Sequence, residues 1–283
     1  MPPWRPVESR RLRRRAGAWG LGVSLLCSVA SVLWATPAAA QAPGGGGGQG
    51  DGAASPELEL ARRYAPVVML KEADDDCDPN GEPFAPMAVD PVLGSRQVAL
   101  RQYGNGDPTV MRAPTARDLH GLGEGFYLDF PGDALNPGCL YERDFDRSGA
   151  AAAPTVYAHI ARQPDEPGRL ALQYWLYWYF NDWNNKHESD WEFVQLVFPV
   201  GSAAEALSVP PEAVGYAQHE GGERAGWTSD KLERDGDHPV VYSSARSHAS
   251  YFGAALYMGR SGAEGFGCDN TCLLYTSPSP RDS

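Results

Sequence analysis

The chain has 283 residues, 24 Lys+Arg against 36 Asp+Glu and a formal net charge of −12. Residues 1–40 contain six Arg and one Glu, so the remainder of the chain carries −17. Because such a surface repels phosphate backbones, we expect no nucleic-acid binding. An aromatic content of 11% argues against a disordered chain.

Residues 1–40 have the pattern of a secretory signal peptide. A run of Arg residues ends at Arg15, an apolar stretch follows from Leu21 to Trp34, and small residues precede Gln41. An uncleaved membrane anchor is the alternative, but the apolar stretch is shorter than the roughly 20 residues that a membrane span needs. We therefore expect a secreted, extracytoplasmic protein with no membrane span in its mature part.

Two further segments are expected to lie outside the folded domain. Residues 41–54 are rich in glycine and predict a flexible linker. Residues 272–283 resemble the translation of a sequencing adapter, and a Pro/Ser-rich natural tail is the alternative. On the first interpretation, residues 55–271 form one domain whose natural C-terminal part is missing.

The first elements of this domain are predicted to be a helix and a short strand. Ser55 is a good N-cap and Pro56 suits the first helical position. The helix should end near Tyr64, because the next residue precedes a proline. An apolar run at 67–70 follows, and residues 72–150 are so rich in Pro, Gly and Asp that we expect long loops there.

Strand signals become strong after residue 154 and predict an all-β dominated fold. The most apolar segment is aromatic on both alternating faces, as a central strand would be. Two short helices are expected at 202–207 and 229–233. Together the pattern predicts a β-sandwich with long loop insertions and a few short helices, and its strands are placed at 155–160, 170–180, 193–198, 214–218 and 239–242.

The cysteine count is compatible with a disulfide. An exported protein meets an oxidising environment, and three cysteines lie inside the predicted domain: Cys77, Cys139 and Cys268. Their pairing cannot be deduced from the sequence. A Cys-rich zinc site is not expected, since the chain has no Cys-x-x-Cys motif.

The densest polar cluster, 181–192, lies between two apolar strands. On the returning strand, a period of two places Glu188, Asp190 and Glu192 on one side. Three carboxylates on one face repel one another unless a cation or protons offset their charge.

Two further side chains are placed near the same point. His187 stands at the junction of loop and strand, and Asp182 lies across the loop mouth. One imidazole with several carboxylates suits a divalent cation, calcium or magnesium first, with manganese or zinc as alternatives. The other interpretation is a solvated loop in which His187 bonds a backbone carbonyl.

Two acidic segments begin like EF-hand calcium loops. Asp76-x-Asp78 and Asp144-x-Asp146 have the right opening spacing, but neither ends in the required glutamate. We expect Asx-rich turns at both places.

The chain from Tyr64 to Thr271 resembles exported bacterial proteins related to vacuolar protein sorting-associated protein 62. That resemblance implies a β-sandwich and no defined activity. Arg246 stands where the pattern would have Gly, which puts a close backbone approach there in doubt. The segments that carry the resemblance are Tyr64-Ala-Pro-Val-Val68, Val89-Asp-Pro-Val-Leu-Gly94, residues 181–188 with Asp190-Trp-Glu192, Gln218-His-Glu-Gly221, His238-Pro-Val-Val-Tyr242 and Ser247-His-Ala249.

A more distant resemblance is to the necrosis- and ethylene-inducing-peptide-like proteins. Their heptapeptide Gly-His-Arg-His-Asp-Trp-Glu is similar to residues 186–192, with Lys186 and Ser189 as departures. The resemblance implies a cation held by the side chains at four positions, with His219 nearby: Asp182, His187, Asp190 and Glu192. Because of the departures, the cytolytic activity of that family is not transferred.

Two functions remain open from the sequence. The preferred hypothesis is a secreted protein whose divalent-cation site binds a glycan or a lipid headgroup, with Trp183 available to stack on a sugar. The alternative is a metal-dependent hydrolase of glycosidic or phosphoester bonds, whose candidate catalytic groups are His219, His248 and Glu188. The chain has no Gly-x-Ser-x-Gly elbow and no phosphate-binding glycine loop.

Overall fold

The computed structural model describes residues 54–73, 77–78, 80–148, 154–261 and 265–272. The predicted signal peptide, nearly all of the linker and residues 273–283 lie outside these ranges. Within them, no helix combines the length and the apolarity that crossing a bilayer requires.

The chain begins with a helix and then forms a small sheet. Ser55 caps the first helix as predicted, because its side chain accepts a hydrogen bond from the backbone N–H of Leu58. Strands β3, β2 and β4 pair in that order as an antiparallel sheet. The elements of this part are α1 (Pro56–Arg63), β1 (Val67–Met69), β2 (Ala99–Gln102), β3 (Thr109–Arg112), α2 (Ala116–Leu119), β4 (Phe126–Asp129) and α3 (Leu140–Ser148).

A five-stranded antiparallel sheet forms the centre of the molecule. Its strand order follows the chain, so each strand pairs with the next. The two longest strands form a hairpin of twelve residues on each side. The strands are β5 (Val156–Ala161), β6 (Leu170–Asn181), β7 (His187–Phe198), β8 (Ala213–Gln218) and β9 (Gly221–Gly226), and the short helix α4 (Ala203–Ala206) lies between β7 and β8.

A second sheet completes the sandwich. Its central strand pairs in parallel with β1 and antiparallel with its other two neighbours, and a separate hairpin follows. The remaining strands are β10 (Arg234–Asp235), β11 (His238–Ser243), β12 (Ser250–Tyr251), β13 (Leu256–Ser261) and β14 (Gly265–Asn270). The all-β dominated sandwich with a few short helices is therefore confirmed.

The core has two parts, and the second of them buries side chains on both faces of β6. Alternate residues of β6, β7 and β8 pack with α1, α4 and Val241 of β11 in the first part. The second part surrounds the far end of β6, where Phe84, Tyr141 and Phe145 pack on Tyr179 and Phe180. The second part includes side chains from residues 84–145. The loops of this segment, together with the adjoining Glu82, are called the roof loops, and they cover the end of the hairpin that carries the polar cluster.

Three expectations about local structure are wrong. Residues 72–150 contain a three-stranded sheet and α3, whose buried Tyr141 and Phe145 are spaced one helical turn apart. Asp144 and Asp146 lie inside α3 rather than in a turn, while Asp76 lies outside the described residues. No helix forms at 229–233, where Leu232 closes a single turn onto Ser229 and packs into the core.

The structure resolves the cysteine pairing that the sequence left open. Cys77 and Cys139 form a disulfide, and Cys268 is an exposed free thiol.

Candidate functional site

The site begins at the open end of the β6–β7 hairpin. The sequence pattern predicts a loop through much of the polar cluster, but β7 already starts at His187, so only five residues turn the chain. Cross-strand pairing puts Asp190 opposite Trp178 and Glu188 opposite Phe180. The acidic side chains thus extend the core face of the sheet to its rim.

His187 and Asp190 are held side by side at this rim. The Nδ1–H of His187 donates to the backbone oxygen of Ser189 at 2.7 Å, which leaves the Nε2 lone pair free. That Nε2 lies 3.9 Å from Oδ1 of Asp190, and the His187 side chain is 39% exposed. A backbone carbonyl bound to the other ring nitrogen is the arrangement that metal-binding histidines usually show.

His248 fixes the second oxygen of Asp190 from below. Its Nδ1 donates to Oδ2 of Asp190 at 2.8 Å, and its Nε2 lies 3.6 Å from Oε2 of Glu82. The imidazole is completely buried and stacks on the indole of Trp178 at 4.2 Å with nearly parallel planes. An imidazolium in this position is stabilised by two carboxylates and by the ring face.

The ionisation of this pair follows from its surroundings. Burial lowers the pKa of His248, but the charge of Glu82 and the hydrogen bond to Asp190 outweigh it and raise the pKa to about 9. Burial raises the pKa of Asp190, yet His248 more than offsets that effect, so the pKa lies below its usual value. At neutral pH the pair is therefore imidazolium and carboxylate.

Asp182 is bound by two cationic side chains. Lys186 contacts its Oδ1, and a guanidinium N–H of Arg246 donates to its Oδ2. Arg246 also donates to Glu142 at 3.2 Å, and its backbone N–H donates to Glu82. Because Glu82 also faces His248, a line of charged side chains runs from Lys186 to Asp190, joined at Glu82 by the backbone N–H of Arg246.

The other two carboxylates of the cluster, those of Glu188 and Glu192, are not part of this line. Glu188 accepts from the Tyr141 hydroxyl at 2.6 Å and from the Phe130 backbone N–H at 3.0 Å. Burial raises the pKa of Glu188 above its usual value despite these bonds. Glu192 is buried opposite Leu176, further down the same face.

His219 belongs to a second polar group beside the rim. Its Nε2 donates to Asp269 at 2.7 Å, and its ring stacks on Trp183 at 4.4 Å. Asp269 also accepts from three hydroxyl groups, those of Ser244, Ser247 and Tyr251. Trp183 is in addition packed edge-on at Gly267, where a Cβ would overlap its ring, so the indole is part of the packing and not a free platform.

Backbone strain is concentrated at this end of the molecule. Four of the eight non-glycine residues with positive φ in the described ranges are Ser189, His219, Arg246 and His248. Arg246, at φ +68, has the conformation that glycine favours, and its four hydrogen bonds hold it there. Such outliers occur most often where surrounding structure enforces a functional geometry.

The four predicted metal ligands are brought to one rim but not around one point. His187 and Asp190 are adjacent, Asp182 is engaged by cations, and Glu192 is buried deeper. Across the part of the chain that the structure describes, no three His, Cys, Asp or Glu side chains are grouped so as to hold a metal ion.

Several members of the site were not found from the sequence. Glu82, Glu142 and Asp269 lie 39 or more residues from the 181–192 cluster, with no motif around them. Arg246 was noticed only as a departure from glycine. Glu82 lies in the roof loops, Glu142 in α3 and Asp269 in β14. Their positions near the rim result from tertiary packing, which no local sequence pattern encodes.

A cleft of about 590 Å³ lies beside Phe130, whose backbone N–H donates to Glu188, and not at His187 and Asp190. Its wall includes Arg101, Arg112, Asp129, Asp144 and Arg147, and none of the predicted site residues lines it. The cleft is therefore not the site indicated by the polar cluster.

Among known proteins, the chain is similar only to proteins with solved structures. No protein-family model and no curated protein matches the chain, so the relation to the vacuolar protein sorting-associated protein 62 family stays a prediction. Among solved structures, the chain is similar to NLPPya in complex with glucosamine, at 17% identity over 78% of this chain and 73% of that one, with a TM-score of 0.34.

Two other solved structures give the same picture. The non-toxic HaNLP3 protein is 11% identical over 77% of this chain and 69% of its own, with a TM-score of 0.37. Necrosis and Ethylene inducing Protein 2, from the causal agent of cocoa's Witches Broom disease, is 14% identical over 68% and 66%, with a TM-score of 0.33. The description of the fold and the rim rests on contacts within this chain. The chain is similar, at low identity, to solved structures of necrosis- and ethylene-inducing toxin-fold proteins.

Proposed function

We propose that the protein is a secreted β-sandwich that binds a divalent cation at the hairpin rim and, through it, a hydroxyl-bearing headgroup such as a sugar. The observation that carries this proposal is the pair formed by His187 Nε2 and Asp190 Oδ1, 3.9 Å apart. Ligand atoms lie about 2.0–2.6 Å from such ions, so both atoms can reach one cation.

The surroundings of this pair support a cation. Ser189 holds the His187 tautomer that leaves Nε2 free, and His248 keeps Asp190 ionised. Asp182 carries Lys186 as its counter-charge, and a divalent ion could replace that ammonium group. Glu192 is proposed as the fourth ligand from within the rim. Water or sugar hydroxyls would complete the coordination.

The geometry favours binding over hydrolysis. A general acid or base must reach the reacting group, yet each candidate is engaged inside the protein. His248 is completely buried, His219 is bound to Asp269, and Glu188 is held by Tyr141 and Phe130. No specific observation supports the hydrolase alternative.

The test is direct measurement of cation binding. The purified full chain is stripped with EDTA and equilibrated separately with Ca²⁺, Mg²⁺, Mn²⁺ and Zn²⁺, and bound metal is measured by mass spectrometry. We expect one equivalent of at least one ion. The substitution His187→Ala should weaken binding by about tenfold or more, because it removes a ligand at a half-exposed position.

His159→Ala is the matched control. This exposed histidine lies on β5 and bonds Gln173, so its removal should leave cation affinity unchanged. Asp190→Asn should weaken binding as His187→Ala does. If the folded wild-type chain binds none of the four ions, the proposal is wrong.

A further inference from the structure

The outer face of the five-stranded sheet carries a cluster of aromatic rings. Trp175 stacks on Phe193 at 4.8 Å and meets Trp191 at 6.4 Å, while Trp191 also contacts Tyr157 at 5.8 Å and Tyr177 at 4.9 Å. Tyr157, Trp175 and Phe193 are cross-strand neighbours on β5, β6 and β7. Five rings from three strands therefore form one continuous ridge.

Three rings of this ridge, those of Trp175, Trp191 and Phe193, are at least partly exposed, while Tyr177 is buried in the second part of the core and Tyr157 packs against it. The residues that alternate with it, such as Tyr174, Leu176 and Val194, are buried in the sandwich. Trp191 is 44% exposed, and Trp175 and Phe193 are partly exposed. Contiguous exposed rings on a sheet are uncommon on a protein surface and usually mark a binding face.

A row of three hydrogen-bonding side chains runs beside the rings. His159 donates to the Gln173 side chain at 3.1 Å, and Gln173 donates to Oε1 of Gln195 at 2.7 Å. The row ends at the amide of Gln195, whose N–H groups have no acceptor among the described residues. Free donors thus stand next to ring faces.

The neighbouring strand leaves the ridge accessible from one side. On β8 the outward positions are Ala213, Gly215 and Ala217, and Gly215 is opposite Gln195. A Cβ at Gly215 would meet nothing closer than the Glu223 backbone oxygen at 3.8 Å. The rings therefore rise above a low floor that is one strand wide, since Arg224 of β9 lies opposite Gly215. From Gln195 to Trp191 the ridge extends about 13 Å along the strand.

The chemistry of this face specifies its ligand class. A pyranose has an apolar C–H face that stacks on aromatic rings and a hydroxyl edge that bonds amides. The ridge residues and the amide row contain no Lys, Arg, Asp or Glu, although the chain beyond residue 40 carries −17. We propose that the aromatic ridge is a second binding face, which takes a neutral oligosaccharide without any cation.

The experiment uses the purified full chain in EDTA, so that the rim cation makes no contribution. Titration calorimetry and tryptophan fluorescence are recorded with cellohexaose, laminarihexaose, mannohexaose and chitohexaose, and with hexagalacturonate as an anionic probe. We expect saturable binding of at least one neutral hexasaccharide. Trp175→Ala should weaken it by about tenfold.

Three further variants keep the test decisive. Gln195→Glu replaces the free amide donor by a negative charge at a partly exposed position, so it should weaken binding even if Trp175→Ala does not fold. Tyr103→Ala is the matched control, because this 65% exposed ring lies against Tyr127 on the β2–β4 sheet and should have no effect. His187→Ala should also leave this binding intact, which separates it from the rim.

Four outcomes would overturn the proposal. The first is that the folded chain binds no neutral hexasaccharide, and the second is that it binds hexagalacturonate alone. The third is equal affinity in the wild type and in the folded Trp175→Ala and Gln195→Glu variants. The fourth is a stable dimer in light scattering that Trp175→Ala dissociates. The last result would mean that a second copy covers the ridge.

Discussion

At the scale of single residues, the site is organised by charges that hold one another in place. Asp190 keeps its negative charge because His248 lies beneath it, and His248 keeps its positive charge because Glu82 lies on its other side. Removing one member would leave a buried charge without a counter-charge, which costs several kcal/mol. The line of charged side chains therefore explains why an acidic rim can fold.

Asp269 gives a prediction about pH. Burial raises the pKa of its carboxyl group, but hydrogen bonds from His219, Ser247 and Tyr251 outweigh that effect, and the pKa lies below its usual value. The folded pKa is thus below the unfolded value of about 3.9, so the stabilisation is present above pH 4 and is lost as pH falls through the folded pKa. Urea unfolding of the wild type should show this acid loss.

The variant Asp269→Asn provides the comparison. It should lower the free energy of unfolding at pH 7 by about 1–3 kcal/mol, because one amide cannot accept all four hydrogen bonds. It should also flatten the dependence of stability on pH between about 5 and 3. A variant with the same acid dependence as the wild type would contradict this account of Asp269.

At the scale of elements, the β6–β7 hairpin carries both the core and the two proposed binding faces. Its inner residues build the sandwich and its rim holds His187 and Asp190, while its outer residues form the aromatic ridge. The alternation of side chains in a strand allows one hairpin to do all three. The sequence indicated this hairpin strongly, because no other segment has so many consecutive β-branched and aromatic residues.

Leu196 tests how far the hairpin core determines stability. It is fully buried between Leu172 and Val214, so Leu196→Ala should lower the free energy of unfolding by about 2–5 kcal/mol. Leu135→Ala is the matched control, since Leu135 is 74% exposed, and it should change stability by less than about 0.5 kcal/mol. Chemical denaturation followed by circular dichroism gives both values, and equal values would refute the assigned core.

At the scale of the whole molecule, a disulfide connects the two segments that reach Arg246 from outside the sandwich. Cys77 precedes Asp78, whose backbone oxygen accepts from Arg246, and Cys139 precedes α3, which supplies Glu142. The bond therefore restrains the roof over the rim in addition to closing a loop with a sequence separation of 62 residues.

The double variant Cys77→Ser/Cys139→Ser should be less stable than the wild type by about 2–4 kcal/mol. Cys268→Ser is its control, because that thiol is free and exposed, and it should unfold like the wild type. Urea midpoints with and without reductant provide the measurement. A wild type whose midpoint is unaffected by a strong reductant would show that the bond does not restrain the unfolded chain.

The sequence by itself determined the elements whose signals are local. The cap at Ser55, the paired strands of the hairpin and the acidic cluster after residue 181 are set by neighbouring residues, through hydrogen bonds within one turn and side-chain alternation. Even the tautomer of His187 depends on a residue only two positions away. These features need no long-range information.

Only the tertiary structure decided what surrounds the acidic cluster. Glu82, Glu142, Arg246 and His248 come from segments 39 to 99 residues away from the cluster along the chain, and they meet at the rim because the roof loops, α3 and the second sheet all pack on the same end of β6. The sequence indicates the carboxylates but not that Arg246 and His248 offset them, because pairing between distant charges depends on packing that leaves no periodic trace along the chain.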